Sequence, residues 1–208
     1  MRASGVVMKI GAIILAAGSS RRFGDDKRKS LLDTGKSVLE TTIENICGQF
    51  DEIMVVLRCA DLDYAAALGE KIEHPGITYY CAPDSSQGMA HSLSNAIVTI
   101  SRTKNWHAAA IFLGDMPYLQ SGTVQSLLES FANSPQPEPI IVPMREGSYG
   151  HPVIFHKRYF PEIAGLKGDA GARSILQGNL ERVIEVPTTD PGIERDIDRP
   201  GEMKQPPG

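Results

Sequence analysis

The sequence predicts an α/β domain of three layers, α/β/α, with a mostly parallel sheet at its centre. Two observations predict it. Apolar runs alternate along the chain with amphipathic stretches of helical length. Several of the apolar runs are continuous, such as Ala109-Ala110-Ile111-Phe112-Leu113, as strands covered on both faces require. Strand–helix alternation of this kind implies right-handed crossovers and places ligands at the carboxyl ends of the strands.

In chain order, strands are expected at Lys9–Ala16, Glu52–Leu57, Thr78–Cys81, Ala108–Leu113, Ile140–Pro143, Val153–His156 and Arg182–Val186. Helices are expected at Val38–Gln49, Leu62–Lys71, Met89–Arg102, Gly122–Ala132, Lys157–Ala164 and Ala172–Leu176. In the first of these helices Leu39, Ile43, Ile46 and Cys47 fall on one face at helical spacing. The run Ser134-Pro135-Gln136-Pro137-Glu138-Pro139 reads as a rigid surface connector, which divides one domain, 8–200, into halves at 8–134 and 140–200. Residues 1–7 read as a dispensable extension with Met8 as an alternative start, and 203–208 as a flexible tail.

The 208 residues are 41% hydrophobic and 22% charged, ordinary for a globular domain with a sizeable core. A formal net charge of −4 argues against general nucleic-acid affinity. Cys47, Cys59 and Cys81 have no metal-ligand spacing, and their odd number reads as reduced thiols used for packing. No run reaches the length of a membrane span, and with no apolar h-region followed by a cleavage site near the N-terminus, no secretory signal is expected. A cytoplasmic location is expected.

The most informative stretch is Leu15-Ala16-Ala17-Gly18-Ser19-Ser20-Arg21-Arg22-Phe23-Gly24-Asp25-Asp26-Lys27. An apolar strand runs into a glycine turn and then into cations. Small residues let a phosphate approach backbone N–H groups, while Arg21 and Lys27 supply fixed charge. A nucleoside triphosphate is the guest this suits. The stretch is neither a Walker loop nor a G-x-G-x-x-G fingerprint. A second signal is Leu113-Gly114-Asp115-Met116-Pro117, an apolar strand ending in Gly and a carboxylate. Asp115 then sits at a strand tip, where a divalent ion bridging phosphates would need an oxygen ligand; it is equally a common turn residue before proline. A third is Asp196-Ile197-Asp198-Arg199-Pro200. Its two carboxylates face one way in an extended chain, yet Asp198 also reads as a helix N-cap before proline.

The first stretch resembles, from Leu15 to Lys27, the L-A-x-G-x-S-x-R-x-G-x-x-K string of small-molecule nucleotidyltransferases, in the branch that attaches a nucleotide to molybdopterin. The resemblance implies a Rossmann-like nucleotidyltransferase fold. It also implies that Leu15, Ala16, Ala17, Gly18, Arg21 and Lys27 line the nucleotide, with Arg21 and Lys27 on its triphosphate. Gly114 to Pro117 match the family's G-D-M-P, which makes Asp115 a Mg²⁺ ligand, and Asp198 aligns with the residue that completes the metal site. Ala82 to Ser92 match N-P-x-x-x-x-G-x-x-x-S, with Ala82 in place of Asn. Gln87, Gly88 and Ser92 are thereby implied at the base and ribose, though the same residues would serve as helix capping. Gly150-His151-Pro152 and Gly168 to Arg173 match G-H-P and G-D-x-G-A-R, which implies that His151 and Arg173 face the acceptor. His151 reads equally as a polar residue at a strand start.

Within the branch, L-A-G-G accompanies GTP and A-A-G accompanies CTP, so Ala17 points to CTP and to a molybdenum cofactor cytidylyltransferase. The implied reaction is attack of a molybdopterin phosphate on the α-phosphorus of CTP, with release of pyrophosphate and delivery of the product to a molybdoenzyme. Competing readings are the use of GTP, a sugar-phosphate or isoprenoid-precursor acceptor, and a non-catalytic cofactor carrier. Retention of Arg21, Lys27 and Asp115 argues against the carrier.

Overall fold

In a computed structural model, which describes residues 8–18, 26–168 and 171–195, the strands are β1 (Ile10–Leu15), β2 (Ile53–Arg58), β3 (Ile77–Ala82), β4 (Ala108–Leu113), β5 (Ile140–Arg145), β6 (Ser148–Tyr149), β7 (Val153–His156) and β8 (Val183–Pro187). The helices are α1 (Val38–Cys47), α2 (Leu62–Lys71), α3 (Met89–Thr103), α4 (Ser121–Ala132), α5 (Phe160–Ala164) and α6 (Arg173–Gly178). One sheet holds all the strands in the order β3-β2-β1-β4-β7-β5-β6, with β8 on β5. The pairs β1–β2, β2–β3, β1–β4 and β5–β8 are parallel, whereas β7 runs antiparallel to both β4 and β5.

Alternation along β1 shows why the domain has three layers. Ala12 and Ile14 point to one face, where Leu39 and Ile43 of α1, Leu68 of α2 and Leu127 and Phe131 of α4 cover them. Ile13 and Leu15 point to the other, beneath Leu93 and Ile97 of α3, Ile163 of α5 and Ile175 of α6. A strand buried on both sides must be apolar throughout, which is why these runs are continuous. Helix α1 starts at a capping box in which the Ser37 hydroxyl accepts from the Glu40 N–H and the Glu40 carboxylate accepts from Ser37 N–H. It ends at Cys47, two residues before the expected end, with Gly48 as its cap.

Two expectations change. The second half mixes strand directions: the chain turns at Glu146 and Gly147, both with positive φ, β6 folds back on β5, β7 runs antiparallel between β4 and β5, and β8 returns parallel to β5. Cys59 and Cys81 are a disulfide, with Cα atoms 4.7 Å apart, so the expectation of three reduced thiols is corrected. The physical reason is register. Leu57 pairs with Cys81, and the chain leaving β2 carries Cys59 back over that edge. Cys47 is free. No described helix is long and apolar enough to cross a membrane.

At the amino ends of the central strands, Glu52 collects Lys9, the Trp106 indole N–H (2.9 Å) and Lys104 (3.1 Å). Burial pushes its carboxyl up, but these donors outweigh it and hold it at about 2.

Two measurements follow. The Glu52 contribution is complete above an ordinary glutamate value of 4.5 and is lost as pH falls through about 2. Glu52→Gln is expected to cost about 1–3 kcal/mol at pH 7, discounted for the half-exposed Lys9, and to flatten the stability curve between those pH values. Urea unfolding across that range reads this; an offset constant with pH would assign the titration elsewhere. Denatured without reductant, the chain is expected to show one titratable thiol, Cys47, and after reduction all three cysteines. Three thiols before reduction would remove the bridge.

Candidate active site

The site is built at the carboxyl ends of β1 and β4. These strands pair in parallel with Leu15 opposite Leu113, so the turn after one and the acid after the other leave the sheet side by side. Ala16 N–H donates to the Val56 carbonyl and Gly114 N–H to the Leu15 carbonyl, both at 2.9 Å. A side chain on Gly114 would put its Cβ 2.7 Å from the Ala16 Cβ and 3.2 Å from the Leu15 carbonyl oxygen. Glycine here is a requirement of close approach. Leu15, Ala16 and Ala17 are buried at the base of the turn, and Gly18 is exposed above them.

Lys27 and Asp115 are brought together. The Lys27 ammonium is ion-paired with Asp115 Oδ2, both side chains being mostly withdrawn from solvent. The two residues came from separate motifs, and the fold makes them neighbours.

Beneath Lys27, in the 3-10 turn 27–29, Arg28 points inward and is only 2% exposed. Its Nη1 donates to the Ala16 carbonyl at 2.5 Å and to Asp61 Oδ2 at 2.7 Å, and its Nε donates to Asp26 Oδ1 at 2.7 Å. Arg58 closes the group, with Nη2 2.9 Å from Asp26 Oδ2 and Nε 2.9 Å from Asp61 Oδ2. The Tyr64 hydroxyl donates to the Arg28 carbonyl at 2.9 Å. Burial pushes the Asp61 carboxyl up, but the hydrogen bonds from Arg58 and Arg28 outweigh it and hold it at about 2. Asp26 is likewise lowered: burial raises it, and Arg28 and Arg58 more than offset that. Burial lowers the Arg28 pKa, but Asp26 and Asp61 raise it further.

The other expected residues spread around these tips. Gly88 takes φ +117° as it caps α3, a conformation that favours glycine. Gln87 donates to Asp84 at 3.1 Å on the exposed rim, and Ser92 is buried in the first turns of α3. Ala90 N–H donates to the Gly168 carbonyl at 3.1 Å, which joins the expected base-binding loop to the start of the expected acceptor loop. Arg173 opens α6 and is exposed. His151 is half-buried beside β4, its Nδ1 3.4 Å from the Ile111 carbonyl oxygen. Arg21, Asp196, Asp198 and Asp169 lie outside the described residues. Counted from Leu15, the arginine position of the string is Arg22, which stands beside Arg21 as a second candidate; it too lies outside them.

Sequence reasoning missed the quartet of buried Arg28 and Asp61 with half-buried Asp26 and Arg58, because an inward arginine looks like an outward one inside Lys27-Arg28-Lys29. It also missed Asp190. That carboxylate is 2% exposed and accepts from Gln120 N–H at 2.9 Å, the Thr123 hydroxyl at 2.8 Å and Gly192 N–H at 2.7 Å. These bonds seat 190–195 against the segment that follows Asp115. Arg195 then lies over the Tyr118 ring, 4.6 Å from its centre. Arg195, the last described residue, therefore lies beside the segment that follows the β4 tip.

Among the described residues no three acidic, His or Cys side chains gather as a metal cage. One strand-tip carboxylate that holds a cation in the structure is still a fitting donor for a hard divalent ion, which commonly takes one or two carboxylates plus phosphate oxygens and water.

Gly114→Ala is expected to cost about 1–3 kcal/mol, because the atom it meets is a buried Cβ with no room to move. Gly122→Ala in α4, whose new methyl group would meet nothing, is the control and is expected to be neutral or stabilising. Equal urea midpoints for Gly114→Ala and wild type would refute the close approach.

A family model described as MobA-like NTP transferase domain matches residues 12–183. Among related proteins, the purine catabolism protein PucB of Bacillus subtilis is 29% identical over 205 residues, covering 91% of this chain and 92% of its own. A probable molybdenum cofactor guanylyltransferase of Natranaerobius thermophilus is 28% identical over 150 residues, covering 71% of this chain and 67% of its own. Among solved structures, Rv0371c from Mycobacterium tuberculosis superposes with a TM-score of 0.76 at 23% identity, covering 94% of this chain and 95% of that one. The same protein solved in complex with manganese gives 0.66 at 22% identity, with 87% and 89% covered. These structures share the fold. The family match spans most of the chain, and with the paired strand tips described above it leads to one conclusion: the chain belongs to the MobA-like NTP transferase domain family and is a nucleotidyltransferase.

Proposed function

We propose that the chain transfers CMP from CTP to molybdopterin, releasing pyrophosphate, with Mg²⁺ as its metal. The observation that carries the reading is the meeting of Lys27, in the 3-10 turn 27–29, with Asp115 at the tip of β4. An acceptor phosphate oxygen forms a bond to the α-phosphorus, and the bond to the β-phosphate oxygen breaks. Both reactants are anions, so catalysis is a matter of neutralisation and in-line placement. Lys27 and Arg21 neutralise the departing pyrophosphate. Asp115 and Asp198 hold the metal, which when bound screens the phosphate charges and polarises the α-phosphate. Gly88 and Ser92 shape the nucleoside pocket, with Gln87 at its rim. Arg173 and His151 face the acceptor, and the Ala90–Gly168 hydrogen bond supports this by tying the two loops together.

Ala17, buried at the base of the turn, supports cytosine over guanine. A second reading, GTP as donor, is favoured by the related protein described as a guanylyltransferase. The manganese-bound structural neighbour supports a divalent ion in general. The product is handed to a molybdoenzyme, and the cytoplasm is where such an exchange takes place.

Incubation with molybdopterin, Mg²⁺ and each labelled triphosphate is expected to release pyrophosphate from CTP. Release from GTP alone would reject the cytidylyl reading, and release from neither would reject molybdopterin as acceptor. Asp115→Asn is expected to lower turnover by about 10²-fold or more, with nucleotide affinity changed less than about threefold. Undiminished turnover would remove Asp115 from the metal site.

A further inference from the structure

The buried Arg28 guanidinium holds both ends of one chain segment. Its Nη1 grips the Ala16 carbonyl, where the chain leaves β1, and its Nε and Nη2 grip the Asp26 carboxylate, where the chain returns. Residues 17–25 lie between these anchors. Asp61, in the turn after β2, accepts from the guanidinium, Arg58 at the end of β2 bridges Asp61 and Asp26, and the Tyr64 hydroxyl of α2 donates to the Arg28 backbone carbonyl. The buried pair at the centre of these contacts, Arg28 and Asp61, adds little net stability, because the desolvation of each ion offsets most of the pairing, and apolar packing would serve as well. What charges in a fixed fork provide is direction, and lysine cannot reproduce a guanidinium that meets three acceptors at once.

We propose that Arg28 is a positioning residue for the triphosphate: it sets the span between Ala16 and Asp26, and through the 3-10 turn it aims the neighbouring Lys27 at Asp115. Arg28 touches no reacting atom in this scheme. The proposal rests on the nucleotidyltransferase site described above and adds a device that the motif does not contain.

The test is calorimetric titration of Arg28→Lys with Mg-CTP, Mg-GTP and CMP, together with amide exchange. Arg28→Lys is expected to bind the magnesium triphosphate that wild type prefers about tenfold or more weakly, while CMP affinity changes less than about twofold. Exchange should accelerate at 16–18 and 26–29 and stay unchanged in β4 and α3. An equal loss for CMP, or faster exchange across the whole sheet with triphosphate affinity kept in the folded protein, would show a merely structural role and overturn the proposal. Should Arg28→Lys fail to fold, Tyr64→Phe decides. It removes the bond to the Arg28 carbonyl together with the contact to the Ser37 hydroxyl at the start of α1, and leaves the guanidinium's own partners in place. It is expected to weaken triphosphate binding about two- to fivefold with CMP unaffected. Ser37→Ala, which removes the second contact and the side-chain cap of α1 but keeps the first, is expected to leave triphosphate affinity unchanged. Unchanged triphosphate affinity in Tyr64→Phe, or an equal loss in Ser37→Ala, overturns the proposal. If wild type binds neither magnesium triphosphate, the functional reading fails instead, and exchange at 16–18 and 26–29 still reports whether Arg28 sets that span.

Discussion

Parallel pairing of β1 with β4 is the constraint from which the site descends. Six consecutive residue pairs, from Ile10 with Ala108 to Leu15 with Leu113, set where each strand stops. A slip of one residue would turn every side chain of β1 to the opposite face and carry the glycine turn away from the acid. The close contact of Gly114 with Ala16 makes that register costly to escape, since the strands meet there with no side chain between them. Chemistry at the top of the sheet is thereby inherited from packing in its middle.

The electrostatic layout divides along the same axis. At the amino ends of the strands, Glu52 gathers Lys9, Lys104 and Trp106 into a hub that has no part in the site. At the carboxyl ends, acids and cations are close enough to be satisfied by one another, and one pair, Lys27 and Asp115, stands at the tip of β4. In the proposed reaction that pair would exchange partners, the lysine turning from the carboxylate to a phosphate as a metal takes its place. The deeper quartet around Arg28 has no such freedom, since its carboxylates are already held below the usual range by two guanidiniums.

Much of this was legible in the chain. Continuous apolar runs marked the buried strands, and the glycine turn and the strand-tip acid marked the candidate site, because each of those features is local. What was hidden is long-range. The return of β7 between β4 and β5 leaves the apolar pattern of Val153–His156 unchanged, so its direction could not be read. Cys59 and Cys81 meet through strand register across a sequence separation of 22, and odd-number arithmetic pointed away from a bridge. Arg28 and Asp190 are charged residues with an interior role, which composition assigns to the surface.

The bridge between Cys59 and Cys81 makes a covalent ring of the stretch that contains Asp61, Tyr64 and all of α2. In the oxidised chain that helix can fray, but its two ends cannot drift from the edge of the sheet. A protease that cuts inside the ring leaves both fragments attached to each other until a thiol releases them. The floor under the glycine turn is thus tethered by a bond as well as by charge.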